Sequence, residues 1–338
     1  MTPAPPLLSV VAASRNDDHG GRLLHRMQLF LDGLLDQAAR HRLSGELVLV
    51  EWNPPPDRPK LAEALRFDAG DGRFPVRIVE VPPAVHAGFP HAEGLPLFQM
   101  IAKNVGIRRA RGGFVLATNI DVLLSEPLAA RLAAGRLSPG RMYRTDRLDA
   151  PTDVPTDLPP RERTAWCGPR LLRVNSPAGT HPPGGAPPRL PRRPPDWLRL
   201  LRERTTLRDP PLHTNACGDF TLMHRSHWRA VRGYAEFPMF SFRLDSLLCY
   251  CAHYAGAREV RLRPPEAVFH IEHSPGSGWT PGRGAELLDR RLAAAQVPKL
   301  EPSEYLGWVN RMRLFGRPPV FNDERWGLAD HDLPETVV

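Results

Sequence analysis

The first half of the chain alternates short apolar runs with stretches of helical periodicity. Residues 7–13 are almost wholly apolar, and residues 20–42 then place large apolar side chains every three or four positions. The further elements predicted up to residue 144 are strands at 46–52, 76–81, 114–119 and 141–144 and helices at 61–67, 95–111 and 126–134. This order predicts an α/β fold with a Rossmann-like, mostly parallel sheet that is covered by helices on both faces.

The alternation of apolar runs and helical patterns stops between residues 150 and 212, where proline and arginine dominate. Apart from a short helix predicted at 197–204, we expect this segment to be a Pro/Arg-rich irregular insertion. Regular elements resume after it. They are predicted as strands at 220–223, 259–262 and 267–271 and as helices at 226–231, 245–255, 286–295 and 303–315, with Ser226 as an N-cap. The last two helices predict a helical C-terminal tail.

The composition is that of a globular protein with a large core. The chain has 338 residues, of which 41% are hydrophobic, and no apolar run reaches the roughly 18 residues of a membrane-spanning helix. Its first residues lack the basic region of a signal peptide, so a cytoplasmic protein is expected. The four cysteines form no Cys-x-x-Cys pair, which argues against zinc-ribbon or thioredoxin chemistry and for buried, reduced thiols.

The formal net charge of +8 comes largely from arginine-rich stretches at 161–173 and 189–208. These stretches are rich in proline and almost without aromatic residues, so we expect no nucleic-acid partner. A solvated loop, or peripheral contact with anionic lipid or a sugar phosphate, is the interpretation that the composition favours.

Candidate chemistry lies in two distant segments. The apolar run at 114–119 leads into Asn119-Ile120-Asp121, which places a carboxylate at the carboxyl end of a buried strand. Open α/β sheets bind their ligands at that end. A later segment supplies Asp245, His270 and His273, which could complete a metal and acid/base site. The two segments together suggest a metal-dependent enzyme that acts on a nucleotide-linked substrate.

The order and spacing of these motifs resemble a GT-A fold glycosyltransferase of the large inverting family 2 type. The resemblance covers about residues 7–149 and 213–280. It rests on Lys103-Asn-x-Gly-x-x-x-Ala-x-Gly before Asn-Ile-Asp, on Gly218-Asp219-Phe220, on Arg232-Gly-Tyr-x-Glu236, and on the late acidic and histidine residues. It implies a nucleotide-sugar-binding half at 1–149, an insertion at 150–212, an acceptor and catalytic half at 213–280 and a C-terminal extension at 281–338.

The resemblance places Asn119-Ile120-Asp121 where such enzymes carry an Asp-x-Asp motif. Asp121 would be the main ligand of Mn²⁺ or Mg²⁺, a cation that neutralises the diphosphate leaving group. Asn119 replaces the first Asp and can still contact ribose; an Asx turn at a strand end is the alternative interpretation. A spacing of three does not put both histidines on one side of a strand. We therefore expect one histidine ligand and favour His270, with His273 as the alternative.

The same resemblance gives roles to residues of the nucleotide half. The turn after the first strand and the end of the second strand would hold the base and ribose, and the helix before Asn-Ile-Asp would face a phosphate. The residues concerned are Ser14, Arg15, Asn16, Glu51, Lys103 and Asn104. Taken alone, Glu51 is equally well a solvated carboxylate at a strand end, and Lys103 part of a solvated basic face.

Asp245 is the candidate general base of an inverting transfer, because one carboxylate must take the proton of the attacking hydroxyl. It opens a predicted helix, so a carboxylate favoured by the helix dipole is the alternative interpretation. The resemblance places Gly218 and Asp219 near the acceptor. Glu236 is a second candidate base, and Trp279 could stack on a sugar.

The function predicted from the sequence is a metal-dependent, inverting, hexosyltransferase-like glycosyltransferase in polysaccharide or glycoconjugate synthesis. It would move a sugar from a UDP- or GDP-sugar to a glycan or other hydroxyl acceptor. One alternative is a nucleotidyltransferase, although Gly20-Gly21 only faintly resembles the phosphate loop of that class. The other is a catalytically inactive glycan- or nucleotide-binding protein, which Asn119 favours. No His-x-His or His-Glu-x-x-His cluster supports a metallohydrolase.

Overall fold

The structure is a computed structural model that describes residues 5–185, 211–273 and 286–338. The helix predicted at 197–204 and the predicted sugar-stacking residue Trp279 lie outside the described residues. The strands of the described chain are β1 (Leu8–Ser14), β2 (Gly45–Trp52), β3 (Val76–Val81), β4 (Phe114–Ala117), β5 (Val122–Leu124), β6 (Arg141–Arg144), β7 (Arg147–Ala150), β8 (Arg173–Ser176), β9 (Gly179–His181), β10 (Thr221–His224), β11 (Arg258–Arg261), β12 (Val268–Ile271) and β13 (Glu335–Val337).

The helices follow the predicted order closely and add two short ones. Those described are α1 (Leu23–His41), α2 (Leu61–Ala64), α3 (Pro83–His86), α4 (Gln99–Arg109), α5 (Glu126–Ala133), α6 (Pro160–Cys167), α7 (Arg225–Val231), α8 (Leu244–Tyr254), α9 (Glu286–Ala294) and α10 (Pro302–Phe315). Among the described helices, none combines the length and apolar composition needed to cross a bilayer. The predicted N-cap is wrong: His224 caps α7, and its ring accepts from the backbone N–H of Ser226.

The larger sheet is mixed, which corrects the prediction of a mostly parallel one. Its eight strands follow the order β11-β6-β10-β4-β1-β2-β3-β13. β4, β1, β2 and β3 run parallel, as the strand–helix alternation predicts, but β10 is antiparallel to both β4 and β6, and β13 is antiparallel to β3. β10 enters the sheet after the long 150–212 segment instead of a single crossover helix. Where no single crossover helix precedes a strand, its apolar sequence does not show whether it will be parallel or antiparallel to its neighbours.

A second sheet, with strand order β5-β12-β7-β8-β9, was not predicted. It includes β8 and β9 from the segment expected to be irregular. That segment also forms α6, so its described part is largely structured. β12 was predicted, at 267–271, whereas β7, β8 and β9 were missed because they are short and largely polar. The division of the chain into four parts stays a prediction, although the tail expected to be helical also supplies β13.

β1 lies at the centre of the larger sheet and is buried on both faces. Val10 belongs to the apolar cluster that contains Met27 of α1, whereas its neighbour Val11 belongs to the cluster that contains Val105 of α4. Successive side chains of a strand point to opposite faces. Helices therefore cover both faces of the sheet, and the carboxyl ends of β1, β2 and β4 meet at one edge.

The close packing of α4 on this sheet depends on Gly106. A Cβ added there would lie 2.5 Å from Val11 Cγ1 and 3.1 Å from Val50 Cγ2. We expect Gly106→Ala to lower the free energy of unfolding by about 1–3 kcal/mol through overpacking. Gly307→Ala in α10 is the control, because a Cβ there meets no described atom within 4 Å; it should raise stability by up to about 1 kcal/mol. Urea denaturation of both variants measures the two effects, and equal effects would contradict the packing account.

Candidate functional site

Asp121 lies in the short loop between β4 and β5 and is the centre of a buried polar cluster. The backbone N–H of Ile271 in β12 donates to the Asp121 carbonyl at 2.8 Å, which fixes the loop against the second sheet. His270 Nε2 lies 3.8 Å and His273 Nε2 3.5 Å from Asp121 Oδ2. One donor atom of each residue lies within 4.8 Å of the others, so these three side chains form a candidate metal site.

Both predicted histidines face Asp121, which corrects the expectation that only one could. The expectation assumed that the strand continues through His273. β12 ends at Ile271, so the alternation of side chains stops two residues earlier. The chain then turns, and the rings of His270 and His273 meet edge to face at 5.3 Å between centroids.

The protonation states of the cluster suit a cation. Burial lowers the pKa of His273 to about 4, against the opposing pull of Asp121, so its imidazole is neutral and keeps a free lone pair. Burial acts to raise the pKa of Asp121, but His270, His273 and the Arg26 guanidinium outweigh it and hold that pKa below its usual value. Among the described residues, the buried Asp121 Oδ1 has no hydrogen-bond partner. A carboxylate oxygen without a partner in a buried cluster fits a cation ligand.

Arg26 is a member of the site that sequence reasoning missed. It is 2% exposed and its Nη1 donates to Asp121 Oδ2 at 2.8 Å. Nη2 donates to the carbonyls of His19 and Gly21, which holds the loop after β1 against the cluster. An arginine on the apolar face of a predicted helix, beside Met27, was the available signal. Arg26 neutralises one oxygen of Asp121 and leaves the other free.

A second carboxylate, Asp149 in β7, lies next to the ring nitrogen of His270 that does not face Asp121. His270 Nδ1 lies 3.5 Å from Asp149 Oδ1, and the carboxylate is completely buried. Arg147 Nε and Arg173 Nε each lie 2.8 Å from its oxygens. Burial alone would raise the pKa of Asp149, but His270 and the two arginines hold it well below its usual range. Carboxylates behind a ligating imidazole fix its orientation, so Asp149 is placed to orient His270.

Arg147 links this cluster to the predicted acceptor residues. Its Nη1 donates to Asp219 Oδ2 at 2.8 Å. Asn119 Nδ2 donates to the other oxygen of Asp219, and Gln99 Nε2 donates to Asn119 Oδ1 at 3.0 Å. Asn119 therefore ties the loop that carries Asp121 to Asp219. It does not contact the three donor atoms of the candidate metal site.

Asp245 is brought to the same region through Gly218. The backbone N–H of Gly218 donates to Asp245 Oδ2 at 2.9 Å, and that of Ser246 to Oδ1 at 2.8 Å. A Cβ at residue 218 would lie 3.1 Å from the carboxylate oxygen, so glycine permits this approach. Lys103 Nζ donates to the Gly218 carbonyl at 2.8 Å and is completely buried, which excludes the solvated basic face. Burial lowers the pKa of Lys103 to about 8, although Asp219 and Asp245 oppose the shift.

Asn104 and Glu236, by contrast, are engaged in joining α4 to later parts of the chain. Asn104 Nδ2 donates to Glu236 Oε1 at 2.9 Å and to the Tyr234 carbonyl at 2.8 Å. Glu236 Oε1 also accepts from the Gly327 N–H at 2.7 Å. Burial raises the pKa of Glu236 despite these donors. These contacts provide a structural role for both residues.

The residues predicted to hold the nucleoside line the ends of β1 and β2. Ser14 is paired in register with Glu51, and its Oγ donates to Met27 Sδ at 3.3 Å. Arg15 Nε donates to the Asn53 carbonyl at 2.6 Å. Asn16 Nδ2 donates to the Pro59 carbonyl at 2.9 Å. Both loops are thereby fixed at the edge of the sheet where Asp121 lies.

Glu51 is 1% exposed, not solvated, and accepts from the Leu61 N–H at 2.9 Å. Burial raises its pKa to about 7, so the folded protein holds a proton there that the unfolded chain releases near pH 4.5. The stability that Glu51 contributes is therefore lost as pH rises from about 4.5 to 7. Glu51→Gln should become progressively more stable than the wild type over that range, by up to about 3 kcal/mol. Urea titrations at several pH values test this, with the exposed Glu93→Gln as a control that should show no such trend.

Comparison with known proteins gives limited similarity. No protein-family model and no curated protein matches the chain. Among solved structures, a crystal structure of GalNAc-T7 with UDP, GalNAc and Mn²⁺ aligns with 97% of this chain at 13% identity and a TM-score of 0.44. The aligned region is 55% of the GalNAc-T7 chain, so this chain spans about half the length of that protein.

Proposed function

We propose that the protein is an inverting glycosyltransferase that moves a sugar from a nucleoside-diphosphate sugar to a hydroxyl acceptor. The observation that carries the proposal is the buried cluster of Asp121, His270 and His273 at the carboxyl end of parallel strands. Ligands of open α/β sheets bind at this edge. The sequence resemblance to GT-A fold glycosyltransferases supports the same assignment.

The cluster would hold a divalent cation, and Mn²⁺ fits its donors best. Carboxylate oxygens suit Mn²⁺ and Mg²⁺ alike, but Mg²⁺ prefers oxygen and water ligands over imidazole. When bound, the cation supplies charge neutralisation for the departing diphosphate. Arg26, at 2.8 Å from Asp121 Oδ2, adds a fixed positive charge beside it. Glu51 and the turn from Ser14 would hold the nucleoside at the neighbouring strand ends.

Asp245 would act as the general base on the acceptor side. Its Oδ2 accepts one backbone N–H, from Gly218, and a carboxylate oxygen has lone-pair capacity beyond that. Lys103 donates to the Gly218 carbonyl and Arg147 donates to the Asp219 carboxylate. The Gly218-Asp219 backbone beside Asp245 is therefore fixed before any acceptor binds. A single base that takes the hydroxyl proton on the face opposite the leaving group gives inversion at the anomeric carbon.

The test is turnover with a panel of UDP- and GDP-sugars in the presence of Mn²⁺. We expect release of one nucleoside diphosphate, loss of this release in EDTA, and an inverted anomeric configuration of the product by NMR. Release of pyrophosphate from a nucleoside triphosphate and a sugar phosphate would instead indicate a nucleotidyltransferase. Nucleotide binding without turnover of any donor would indicate a binding protein.

A further inference from the structure

The largest exposed apolar side chains of the described protein are concentrated in one short segment. Seven large hydrophobic side chains of the described residues are exposed, and four of them lie between residues 306 and 320. They are Leu306 at 55%, Leu314 at 67%, Phe315 at 58% and Val320 at 52% exposure. Single exposed apolar residues are common on protein surfaces, but a cluster of large ones indicates an interaction surface.

These side chains lie on the exposed half of α10 and on the segment that follows it. Leu306 and Leu314 are eight residues apart on the helix and so lie on the same side. The segment after Phe315 folds back, because the Phe321 ring lies 5.0 Å from that of Trp308. Val320 is thereby brought beside the helix.

The charged side chains between residues 306 and 320 are all positive, and the one acidic residue of α10, Glu304, precedes them in its first turn. Residues 306–320 include Arg311, Arg313 and Arg317 and no acidic residue. Arg311 lies over the rings of Trp308 and Phe315, at 5.7 and 6.0 Å from their centroids, so cationic and apolar groups alternate along the surface. Exposed leucine and phenylalanine bordered by arginine is the composition of helices that lie in the interface of an anionic bilayer.

We propose that α10 and residues 316–320 form a docking surface for anionic phospholipid membranes. Leu314 and Phe315 would enter the acyl boundary, and the arginines would contact phosphate groups. The helix packs against α8 through Tyr305 and Tyr250, whose rings lie 6.3 Å apart. Because α8 carries Asp245 in its first turn, a docked bilayer would lie against the element next to the acceptor side. This surface is separate in sequence from the 150–212 segment, whose basic residues were the ones predicted to make peripheral contact.

Vesicle flotation tests the proposal without any donor or turnover, so its outcome is separate from that of the proposed chemistry. We expect binding to phosphatidylcholine vesicles that contain phosphatidylglycerol, little binding to phosphatidylcholine alone, and release at high salt. Leu314→Ser combined with Phe315→Ser should weaken binding about tenfold or more. Arg311→Gln and Arg317→Gln should each weaken it about fivefold, since one arginine near such a surface contributes about that factor.

The control variants carry the same substitutions elsewhere. Leu172→Ser changes another exposed leucine, and Arg73→Gln changes an exposed arginine outside the surface. Neither should alter vesicle binding. Equal binding to neutral and anionic vesicles, no binding at all, or equal losses in the controls would overturn the proposal. A dimer in solution that Leu314→Ser and Phe315→Ser convert to a monomer would also overturn it, because a second copy would then be the partner.

Discussion

Replacing Asp121 with alanine should abolish Mn²⁺ binding and lower the rate of sugar transfer at least about a thousandfold. Asp121 supplies the only carboxylate of the three-residue cluster, and its Oδ1 is one of the buried atoms that have no hydrogen-bond partner among the described residues. The loss also leaves the Arg26 guanidinium buried without its counter-charge, which adds repulsion toward any cation. Electron paramagnetic resonance of free Mn²⁺ during a titration measures the loss directly.

The unpaired Arg26 could also destabilise the fold, so a second variant is needed. Asp121→Ala combined with Arg26→Met removes both charges and keeps an unbranched side chain at the buried position 26. We expect this double variant to fold, by circular dichroism, and still to bind no Mn²⁺. Asp71→Ala, which removes an exposed carboxylate paired with Arg73, should bind Mn²⁺ like the wild type. Full Mn²⁺ binding by a folded Asp121→Ala protein would refute the assignment of the metal site.

Replacing Asp245 with asparagine should lower the maximal rate about a thousandfold and leave nucleotide affinity unchanged. The amide keeps an oxygen for the Gly218 N–H but cannot take a proton from an acceptor hydroxyl. The alternative, a carboxylate that only complements the dipole of α8, predicts a different result: a loss of about 0.3–1 kcal/mol in stability with unchanged transfer. Steady-state kinetics and urea denaturation of one preparation separate the two.

Glu286→Gln is the matched control for Asp245→Asn. Glu286 is also an acidic residue in the first turn of a helix, α9, and it is exposed. Its substitution should change stability by a similar small amount and leave the rate unchanged. If Asp245→Asn behaves in the same way, the base must be sought elsewhere.

Strands were predicted where adjacent large apolar residues mark a buried sheet. β3 and β6 have the predicted bounds, and β1 and β2 differ by one residue at their ends. Each contains adjacent apolar residues, such as Val10 and Val11 in β1 and Met142 and Tyr143 in β6. β7 and β8 read Arg-Leu-Asp-Ala and Arg-Val-Asn-Ser and show no such pair. Their buried charges are paired with each other across the sheet, as in Arg173 and Asp149. Hydrophobic patterning cannot detect strands that bury paired charges.

The residues of the candidate site also differ in whether the sequence could predict them. Asp121, His270 and His273 could be proposed from their positions after apolar runs, and the structure brings them together. Asp149 could not, because the partner of a buried charge is set by packing between elements distant in sequence. The place of Arg26 on an apolar helix face signals a buried charge but does not show that Asp121 is its partner. The same limit applies to Asn104 and Glu236, whose nearness to the motifs suggested ligand contacts and whose hydrogen bonds are internal.

Calorimetric titration of the protein with UDP and with GDP, each with and without Mn²⁺, is the decisive test of a metal-dependent nucleotide site. We expect one of the two nucleotides to bind in the presence of Mn²⁺, and this binding to disappear without the metal and in Asp121→Ala. Binding that is the same with and without Mn²⁺, or no binding of either nucleotide by the folded protein, would contradict this expectation.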